Sequence, residues 1–522
     1  MKRAILTLAL SGLMVCAMPA LAADSGAHSH SDHDASQATP VPKARAVTSH
    51  GTVTVDGKTI HYTATTGNIL LRDDNNKPIG SMFYIAYTKD GNGSGSKRPV
   101  TFLYNGGPGS SSLWLQMGGI GPMRVDMGNG EATAPAPYQV RKNPYTLLND
   151  SDLVFIDAMG TGYSYAVGKA KPKQFWGVDQ DVHAFGQFIR RYLNKFHRWN
   201  SPKFLYGESY GTTRSAALSN YLQDQGIALN GVVLQSSVLN YFAWMPGSDD
   251  DYIYNLPTYA ALAWYYDKVP NKPAKLADFV QQAREFADGP YLQALERGDT
   301  LSSGKAQQIA ERMHQLIGLP VEYIKRADLR IDPSNFRKEL NLPQGKMIGR
   351  YDGRYAGQDM DQISSVPGFD PSNQFISPAF TAAFHGYLNN TLKWNTDRKY
   401  RVMNGKIIQK WDWKHHGAGG NGWQEPMPYV AGDLAAALRK NPYLRVLSEN
   451  GYYDLATPFH ATEYDLNHMM LKGDLRSHVK FAYFPSGHMI YLNPKALKAM
   501  HARLDRFYAN TLKADQTGPA SK

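Results

Sequence analysis

A short apolar run, Lys203-Phe204-Leu205-Tyr206, leads directly into Gly207-Glu208-Ser209-Tyr210-Gly211, and a helix is predicted from Thr212 to Gln223. The glycines that flank Ser209 permit a turn too tight for larger residues, and such a turn projects the serine hydroxyl into a cleft. A strand, a tight turn and a helix in this order indicate a serine nucleophile. The G-x-S-x-G pattern is weak evidence without this context.

A serine nucleophile requires a base and a group that orients the base. His488 follows a predicted strand at residues 479–483, and Asp454 follows one at residues 444–447. The order Ser209, Asp454, His488, with each residue on a loop after a strand, is typical of an α/β hydrolase. Asp157 is the second candidate for the acid, but it precedes Ser209 and breaks this order.

A glycine-rich loop, residues 105–112, follows the predicted strand Val100 to Tyr104 and has the sequence Asn-Gly-Gly-Pro-Gly-Ser-Ser-Ser. Successive glycines let backbone N–H groups approach a substrate oxygen without interference from a Cβ atom. We expect the N–H groups of Gly107 and Tyr210 to form an oxyanion hole. A phosphate-binding loop is the alternative, but the lysine and the spacing of that motif are missing.

The remaining patterns predict an α/β fold with a mostly parallel central sheet and an antiparallel N-terminal edge. A hairpin is expected around Asp56-Gly57, because β-branched runs flank this turn dipeptide. Further short strands are predicted at residues 69–71, 81–87, 152–156 and 232–234, and helices at residues 180–196 and 494–512.

The texture of the sequence changes between Tyr241 and Val430. Apolar residues recur there at helical spacing, as in Leu276 to Phe286, and proline and aromatic residues dominate the second half. We interpret residues 241–430 as a long, largely helical insertion, or cap. It divides the hydrolase core into residues 51–240 and 431–512, and residues 513–522 form a tail.

At this point the chain resembles the serine carboxypeptidase family, peptidase family S10, as a bacterial-type secreted member. The resemblance depends on the loop at residues 105–112 and on Gly207 to Gly211, with further support from Gly451 to Asp454 and Gly487-His488-Met489. It spans roughly residues 51–512, and the segment from Phe155 to Tyr165 adds to it.

The resemblance implies an α/β hydrolase with a helical insertion that removes the C-terminal residue of a peptide. It also implies that Asn105 and Glu208 bind the terminal carboxylate of the substrate. Two carboxylates repel each other unless one holds a proton, so we expect Glu208 to be protonated when substrate binds. The alternative is that Glu208 only supports the turn.

Two positions depart from the family pattern. Gly119 stands where many members have a second glutamate of the carboxylate-binding network, and Ser110 stands where a cysteine is usual. The missing cysteine implies that packing must hold the loop. The missing glutamate weakens the expectation of strict C-terminal selectivity.

The first residues change the composition. Lys2 and Arg3 precede an apolar stretch and a small-residue cleavage pattern, which predicts a signal peptide at residues 1–22. Cys16 is the only cysteine, so the mature chain would have none. The polar leader at residues 23–50 contains three histidines that could catch a metal ion, although a solvated leader is the favoured interpretation: His28, His30 and His33.

The chain has 522 residues and a formal net charge of +11, which would fall to about +9 without the signal peptide. Its basic residues are scattered and no nucleic-acid motif is present, so no nucleic-acid partner is expected. The hydrophobic content of 42% excludes a disordered chain. We also expect no stable membrane insertion, and periplasmic or extracellular localisation, while the oligomeric state stays open.

Together these observations predict a cofactor-independent serine hydrolase that lacks a metal at its site and acts on peptides with a free C-terminus. A serine esterase, an acyltransferase or another peptidase on the same fold stays open. An inactive hydrolase fold that serves as a binding protein is the alternative of another class. Trp411, Trp413, His415, His416 and Trp423 could line the substrate pocket, but aromatic packing is the favoured interpretation, and a metal at His415-His416 is not expected.

Overall fold

The computed structural model describes residues 38–91, 97–419 and 422–517. The predicted signal peptide, Cys16 and the three leader histidines lie outside these residues.

Strands occur throughout the described residues, in chain order: β1 (Ala46–Val55), β2 (Lys58–Arg72), β3 (Pro78–Lys89), β4 (Val100–Tyr104), β5 (Met123–Val125), β6 (Val140–Lys142), β7 (Asp152–Ile156), β8 (Tyr165–Ala166), β9 (Lys203–Glu208), β10 (Gly231–Gln235), β11 (Lys346–Ile348), β12 (Ala356–Gln358), β13 (Arg445–Gly451) and β14 (Val479–Phe484).

The α-helices of the same residues are, in chain order: α1 (Leu113–Leu115), α2 (Val178–Lys195), α3 (Tyr210–Asp224), α4 (Asp250–Tyr265), α5 (Leu276–Phe286), α6 (Leu292–Leu295), α7 (Ser303–Ile317), α8 (Val321–Arg326), α9 (Pro333–Glu339), α10 (Pro371–Gln374), α11 (Ser377–Asn390), α12 (Gly405–Gln409), α13 (Ala431–Lys440), α14 (Phe459–Asn467), α15 (Asp474–Ser477) and α16 (Pro494–Thr517).

One large sheet has the strand order β1-β2-β3-β7-β4-β9-β10-β13-β14, and β8 pairs with β3 at its side. Pairing is antiparallel from β1 to β7 and parallel from β7 to β14. The predicted antiparallel N-terminal edge and parallel centre are confirmed, and the fold is that of an α/β hydrolase.

The N-terminal hairpin is longer than the sequence pattern predicts. β1 begins at Ala46, inside the stretch assigned to the polar leader, because residues 46–50 pair with residues 63–67 of β2. The separate short strands predicted at residues 59–62 and 69–71 belong to one strand, β2, which pairs with β1 and β3 at once. Pairing on both edges stabilises this strand beyond its local propensity.

Apolar side chains on the two faces of the sheet form separate cores. In β9, Phe204 and Tyr206 belong to one core and Leu205 to the other, as the two-residue period of a strand requires. A third core lies mainly among the helices that follow β10. The sheet is therefore covered on both sides, as expected for parallel strands.

The strand order brings distant loops together. β9, β10, β13 and β14 are consecutive parallel neighbours, so their carboxyl ends meet at one edge of the sheet. Ser209, Asp454 and His488 follow β9, β13 and β14, respectively. Ligand and catalytic sites of such sheets form at this edge.

Candidate active site

Ser209 lies in a strained turn between β9 and α3. Its backbone has φ 61° and ψ −131°, a region that residues other than glycine rarely adopt. A Cβ atom on Gly207 would lie 2.1 Å from the Gly211 carbonyl oxygen, and one on Gly211 would lie 2.8 Å from that of Tyr104. Both glycines are therefore required, as predicted for a nucleophile turn.

His488 and Asp454 form the hydrogen-bonded pair that the sequence order predicts. The distance between His488 Nδ1 and Asp454 Oδ2 is 2.7 Å, and both side chains are buried. The Asp454 carboxylate also accepts hydrogen bonds from the N–H groups of Ala456 and Thr457 and from the Thr457 hydroxyl. These bonds orient the carboxylate and assign the proton of neutral His488 to Nδ1, which leaves Nε2 as the base.

Burial and charge oppose each other at His488. Burial by itself lowers the pKa of the imidazole, but the charge and hydrogen bond of Asp454 and the charge of Glu208 raise it more, so the net pKa lies above its ordinary value. The site therefore stabilises the imidazolium that forms when His488 takes a proton from Ser209.

Residues at the end of β10 connect the nucleophile to the base. The Ser209 N–H donates to the Gln235 carbonyl oxygen at 3.1 Å. The Ser236 hydroxyl donates to the His488 carbonyl oxygen at 2.7 Å, and Gln235 Nε2 donates to the same oxygen at 3.3 Å. Among the described residues, no hydrogen bond joins the Ser209 hydroxyl to the His488 ring. Catalytic hydrogen bonds in unliganded enzymes are often long and shorten when substrate binds.

Glu208 lies beside the nucleophile in a buried polar network. Asn105 Nδ2 donates to Glu208 Oε1 at 2.7 Å, and Gln235 Nε2 donates to Glu208 Oε2 at 2.8 Å. Burial raises the pKa of Glu208 to about 7, although the charge of His488 and the bond from Asn105 act in the opposite direction. The structure thus brings together Asn105 and Glu208, the two residues predicted to bind a carboxylate.

The glycine-rich loop packs directly on the nucleophile turn. A Cβ atom on Gly106 would lie 2.4 Å from the Tyr210 nitrogen, and Gly107 has a φ of 107°, which favours glycine. The loop backbone can approach the first N–H groups of α3 only because Gly106 has no side chain. This contact is the one that an oxyanion hole at Gly107 and Tyr210 requires.

Asp157, the second candidate for the triad acid, binds the glycine-rich loop instead. Its carboxylate accepts hydrogen bonds from the Ser112 N–H at 2.8 Å and from the Tyr400 hydroxyl at 3.2 Å. Burial raises the pKa of Asp157 to about 6. Since His488 is bonded to Asp454, Asp157 has a structural role in holding the loop.

Backbone hydrogen bonds hold the loop where relatives are expected to use a cysteine. The Ser111 N–H donates to the Val402 carbonyl oxygen at 3.0 Å, and the Asn404 N–H donates to that of Gly109 at 2.8 Å. The Ser110 hydroxyl accepts a hydrogen bond from Trp114 Nε1 at 3.1 Å. A segment that follows α11 thus restrains the loop, as the sequence predicts when it assigns this task to packing.

A buried ion pair beneath the turn was not identified from the sequence. Arg214 Nε lies 2.6 Å from Asp181 Oδ2, and Arg214 Nη1 donates to the Asn105 carbonyl oxygen at 2.9 Å. Removing one partner of such a pair typically costs about 3–5 kcal/mol, because the other charge stays buried. Asp181 is 33 residues from Arg214 in sequence, and no local pattern connects them.

Tyr491 occupies the space beside Gly118 and Gly119. A Cβ atom on Gly118 would lie 2.2 Å from the Tyr491 ring, and one on Gly119 would lie 2.6 Å from Tyr491 Cβ. A glutamate at position 119 would therefore collide with Tyr491. Burial, followed by the charge of Glu208, raises the pKa of Tyr491, and its hydroxyl has no hydrogen-bond partner among the described residues.

Residues between β10 and β13 complete the walls of the site. The His488 N–H donates to the Tyr351 carbonyl oxygen at 2.6 Å, and the centres of the two rings are 5.3 Å apart. Trp411 packs edge-on against Tyr210 at 5.3 Å, and Trp413 lies 6.2 Å from the same ring. Trp411 and Trp413 therefore pack next to the nucleophile, whereas Trp423 is exposed.

His415 is held between two carboxylates. Its Nδ1 lies 2.6 Å from Asp179 and its Nε2 lies 2.9 Å from Asp433, while His416 contacts Asp179 from outside. Burial lowers the pKa of His415, but both carboxylates raise it more, to about 9. A protonated imidazole cannot bind a metal, so His415 forms an ion-pair bridge.

Comparison with known proteins supports the same family. The serine carboxypeptidase model of peptidase family S10 matches residues 59–348. Serine carboxypeptidase-like 36 of Arabidopsis thaliana is 27% identical over 171 residues, which cover 32% of this chain and 33% of the relative. The pheromone-processing carboxypeptidase kex1 of Schizosaccharomyces pombe is 28% identical over 146 residues, which cover 27% of this chain and 26% of the relative. The matched part thus spans about a third or less of these relatives.

A solved structure supports the fold over a larger part of the chain. The prohormone-processing carboxypeptidase Kex1 of Saccharomyces cerevisiae superposes with a TM-score of 0.53 and 15% identity, covering 86% of this chain and 92% of the other. The family model covers more than half of the chain and includes the glycine-rich loop and the nucleophile turn. The chain belongs to the serine carboxypeptidase family, peptidase family S10.

Proposed function

We propose that this protein is a serine-type carboxypeptidase in which Ser209, His488 and Asp454 form the catalytic triad. The observation that carries the proposal is the connected arrangement of a strained Ser209 turn, the 2.7 Å His488–Asp454 bond and the 2.7 Å Asn105–Glu208 bond. The first two features activate a nucleophile, and the third offers a place for a terminal carboxylate.

The reaction follows from the positions of these groups. Ser209 Oγ attacks the carbonyl carbon of the last peptide bond while His488 Nε2 takes the hydroxyl proton. The N–H groups of Gly107 and Tyr210 stabilise the oxyanion, and His488 then returns the proton to the departing amine of the C-terminal residue. Water, activated by His488, hydrolyses the acyl-enzyme and regenerates Ser209.

Glu208 and Asn105 give the proposed preference for a free C-terminus. A buried Glu208 that holds a proton can donate a hydrogen bond to the substrate carboxylate, and Asn105 Nδ2 has a second N–H available for the same group. An ionised Glu208 would repel that carboxylate. The protonation state of Glu208 therefore controls the binding of substrates with a free C-terminus.

Glu208→Gln should change the pH dependence of substrate binding. Because the pKa of Glu208 is raised to about 7, the wild-type side chain is neutral below pH 7 and charged above it. The KM for a free-acid peptide should rise by about tenfold per pH unit above pH 7 in wild type, and much less in Glu208→Gln. Steady-state kinetics between pH 5 and 9 measure this difference.

Two controls isolate the effect of Glu208. Glu285→Gln, an exposed change on α5, should keep the wild-type profile. A peptide with a C-terminal amide lacks the charge that Glu208 would repel, so its KM should not show the same rise. Equal steepness in wild type and Glu208→Gln would leave Glu208 as a support of the turn only.

Matched peptides with a free or an amidated C-terminus test the proposed function. Mass spectrometry should show release of single C-terminal residues from the free acid and little cleavage of the amide. Cleavage of both peptides at similar rates would instead indicate a broader peptidase, esterase or acyltransferase, which the contact of Tyr491 with Gly119 favours as the second candidate.

A serine-reactive phosphonate separates an enzyme from a binding protein. The folded chain should be labelled at Ser209, and peptide mapping should locate the adduct there. A folded protein that takes no label would be an inactive hydrolase fold, the alternative of another class.

We further propose that the hydrolase core comprises residues 51–240 and 431–512, with a cap at residues 241–430 between them. Supporting this division, an isolated backbone bridge joins Asn240 to Tyr429, where the chain would leave and re-enter the core. Limited proteolysis should cut first within the cap. Early cleavage inside β9 or β13 would contradict the division.

We propose that the chain is exported and is a bacterial-type, secreted member of its family. Support comes from the signal-like residues 1–22 and from a mature sequence without cysteine, whereas the relatives named above are plant and fungal proteins. Within the described part of the chain, no helix has the length and apolar character needed to cross a membrane. N-terminal sequencing of the protein from a secreting bacterial host should start at Ala23.

A further inference from the structure

A second group of ionisable side chains lies around α16, and none of its members takes part in the triad or the carboxylate network. His501 and Asp505 are four residues apart on this helix and so share one face. Asp56 approaches them from the turn between β1 and β2. The group therefore joins the N-terminal edge of the sheet to the last helix.

The ligand atoms of this group are close enough to share one ion. One carboxylate oxygen each of Asp56 and Asp505 and one ring nitrogen of His501 all lie within 4.8 Å of one another. His501 Nε2 is 3.4 Å from Asp505 Oδ2, a distance that accompanies no hydrogen bond. Three donors converge at this point without bonding to one another.

His501 is the most telling member, because it is buried without a partner. The residue is only 5% exposed, and neither ring nitrogen forms a hydrogen bond among the described residues. Asp505 Oδ1 is buried and unpaired in the same sense. Buried polar groups nearly always have a partner, so these free lone pairs indicate that a ligand belongs between them.

Asp150 adds a further carboxylate to the group. Its Oδ2 is buried and has no hydrogen-bond partner among the described residues. Burial and the neighbouring Asp505 carboxyl raise the pKa of Asp150 to about 8. Arg98 lies nearby, but its guanidinium already binds Asp152 and the carbonyl oxygens of Leu148 and Asn149.

We propose that Asp56, His501 and Asp505, with Asp150 as a fourth donor, form a structural zinc site. An imidazole nitrogen together with carboxylate oxygens suits Zn²⁺, whereas Ca²⁺ and Mg²⁺ prefer oxygen ligands throughout. The bound cation would compensate the crowded carboxylates and satisfy the buried imidazole. It would also link α16 to the β1–β2 turn, and so stabilise the fold without entering the reaction.

The polar leader complicates any measurement of zinc, because it contains three further histidines. The test therefore uses the full mature chain with these histidines changed to serine: His28→Ser, His30→Ser and His33→Ser. Equilibrium dialysis against buffered zinc should give one bound ion per chain in this leader variant. No bound zinc in the folded leader variant would overturn the proposal.

Two ligand substitutions then locate the ion. In the leader variant, Asp56→Asn should weaken zinc binding at least tenfold, and His501→Gln by more than about 100-fold. Asp56 has a φ of 47°, a conformation that asparagine also adopts, so Asp56→Asn keeps the turn and stays informative if His501→Gln does not fold. Unchanged zinc affinity in Asp56→Asn and in any folded His501→Gln protein would overturn the proposal.

Thermal unfolding provides a second readout that does not involve activity. Saturating zinc should raise the Tm of the leader variant, and the rise should be smaller in the variant that also carries Asp56→Asn. A matched surface control, His468→Gln with Asp474→Asn, removes a histidine and an aspartate elsewhere and should keep both the zinc and the rise in Tm. Loss of zinc in this control as well would show non-specific binding and overturn the site.

Discussion

Replacing Ser209 by alanine should lower kcat for peptide hydrolysis by about a million-fold, the scale observed when a serine nucleophile is removed from a triad. Ser209 is the only triad member that forms a covalent bond to the acyl group, and His488 and Asp454 have no nucleophile to activate without it. The loss should appear in kcat, while the affinity for a free-acid product or inhibitor stays within a few-fold of wild type.

The measurement is the rate of C-terminal residue release, followed by mass spectrometry over long incubation times. Ser477→Ala, an exposed substitution near β14, should retain wild-type activity and serves as the matched control. Circular dichroism and Tm should confirm that Ser209→Ala is folded. A folded Ser209→Ala protein with more than a tenth of wild-type activity would exclude Ser209 as the nucleophile.

Asp454→Asn should have the second-largest effect, a loss of about 10,000-fold in kcat. The carboxylate accepts the Nδ1–H of His488 at 2.7 Å and is held by Thr457 and Ala456. An asparagine amide in this position can donate to Nδ1 and place the proton on Nε2, which then cannot act as the base. Steady-state kinetics at the pH optimum measure the loss.

Asp157→Asn provides the contrast, because Asp157 is the other aspartate that the sequence allows as the acid. An asparagine oxygen can still accept the hydrogen bond from the Ser112 N–H, so the glycine-rich loop should keep its position. We expect at most about a tenfold loss of kcat, the scale of one weakened hydrogen bond. A larger loss in Asp157→Asn than in Asp454→Asn would reverse the assignment of the acid.

Local sequence rules predicted the chemically active residues well. Ser209 is surrounded by glycines that a tight turn requires, and Asp454 and His488 follow apolar strands whose periodicity is visible without a structure. The parallel sheet then brings these loops together because the carboxyl ends of its strands share one edge. Asn105 and Glu208 were placed together through family resemblance, and the structure shows them 2.7 Å apart.

The supporting contacts could not be predicted in the same way. Arg214 and Asp181 lie on different helices, Tyr351 reaches His488 from the region between β10 and β13, and Tyr491 faces Gly119 across more than 370 residues. Such pairs leave no periodic pattern in the sequence. The length of β2 escaped prediction for a similar reason, since pairing on both of its edges extends it.

The sequence by itself determined the family, the strand–helix alternation and the order of the triad, because turns, periodicity and glycine requirements are properties of neighbouring residues. Only the tertiary structure decided that Asp454 and not Asp157 holds His488, that Tyr491 fills the place beside Gly119, and that burial raises the pKa of Glu208 to about 7. These outcomes depend on desolvation and on contacts between distant segments, which arise only when the chain packs.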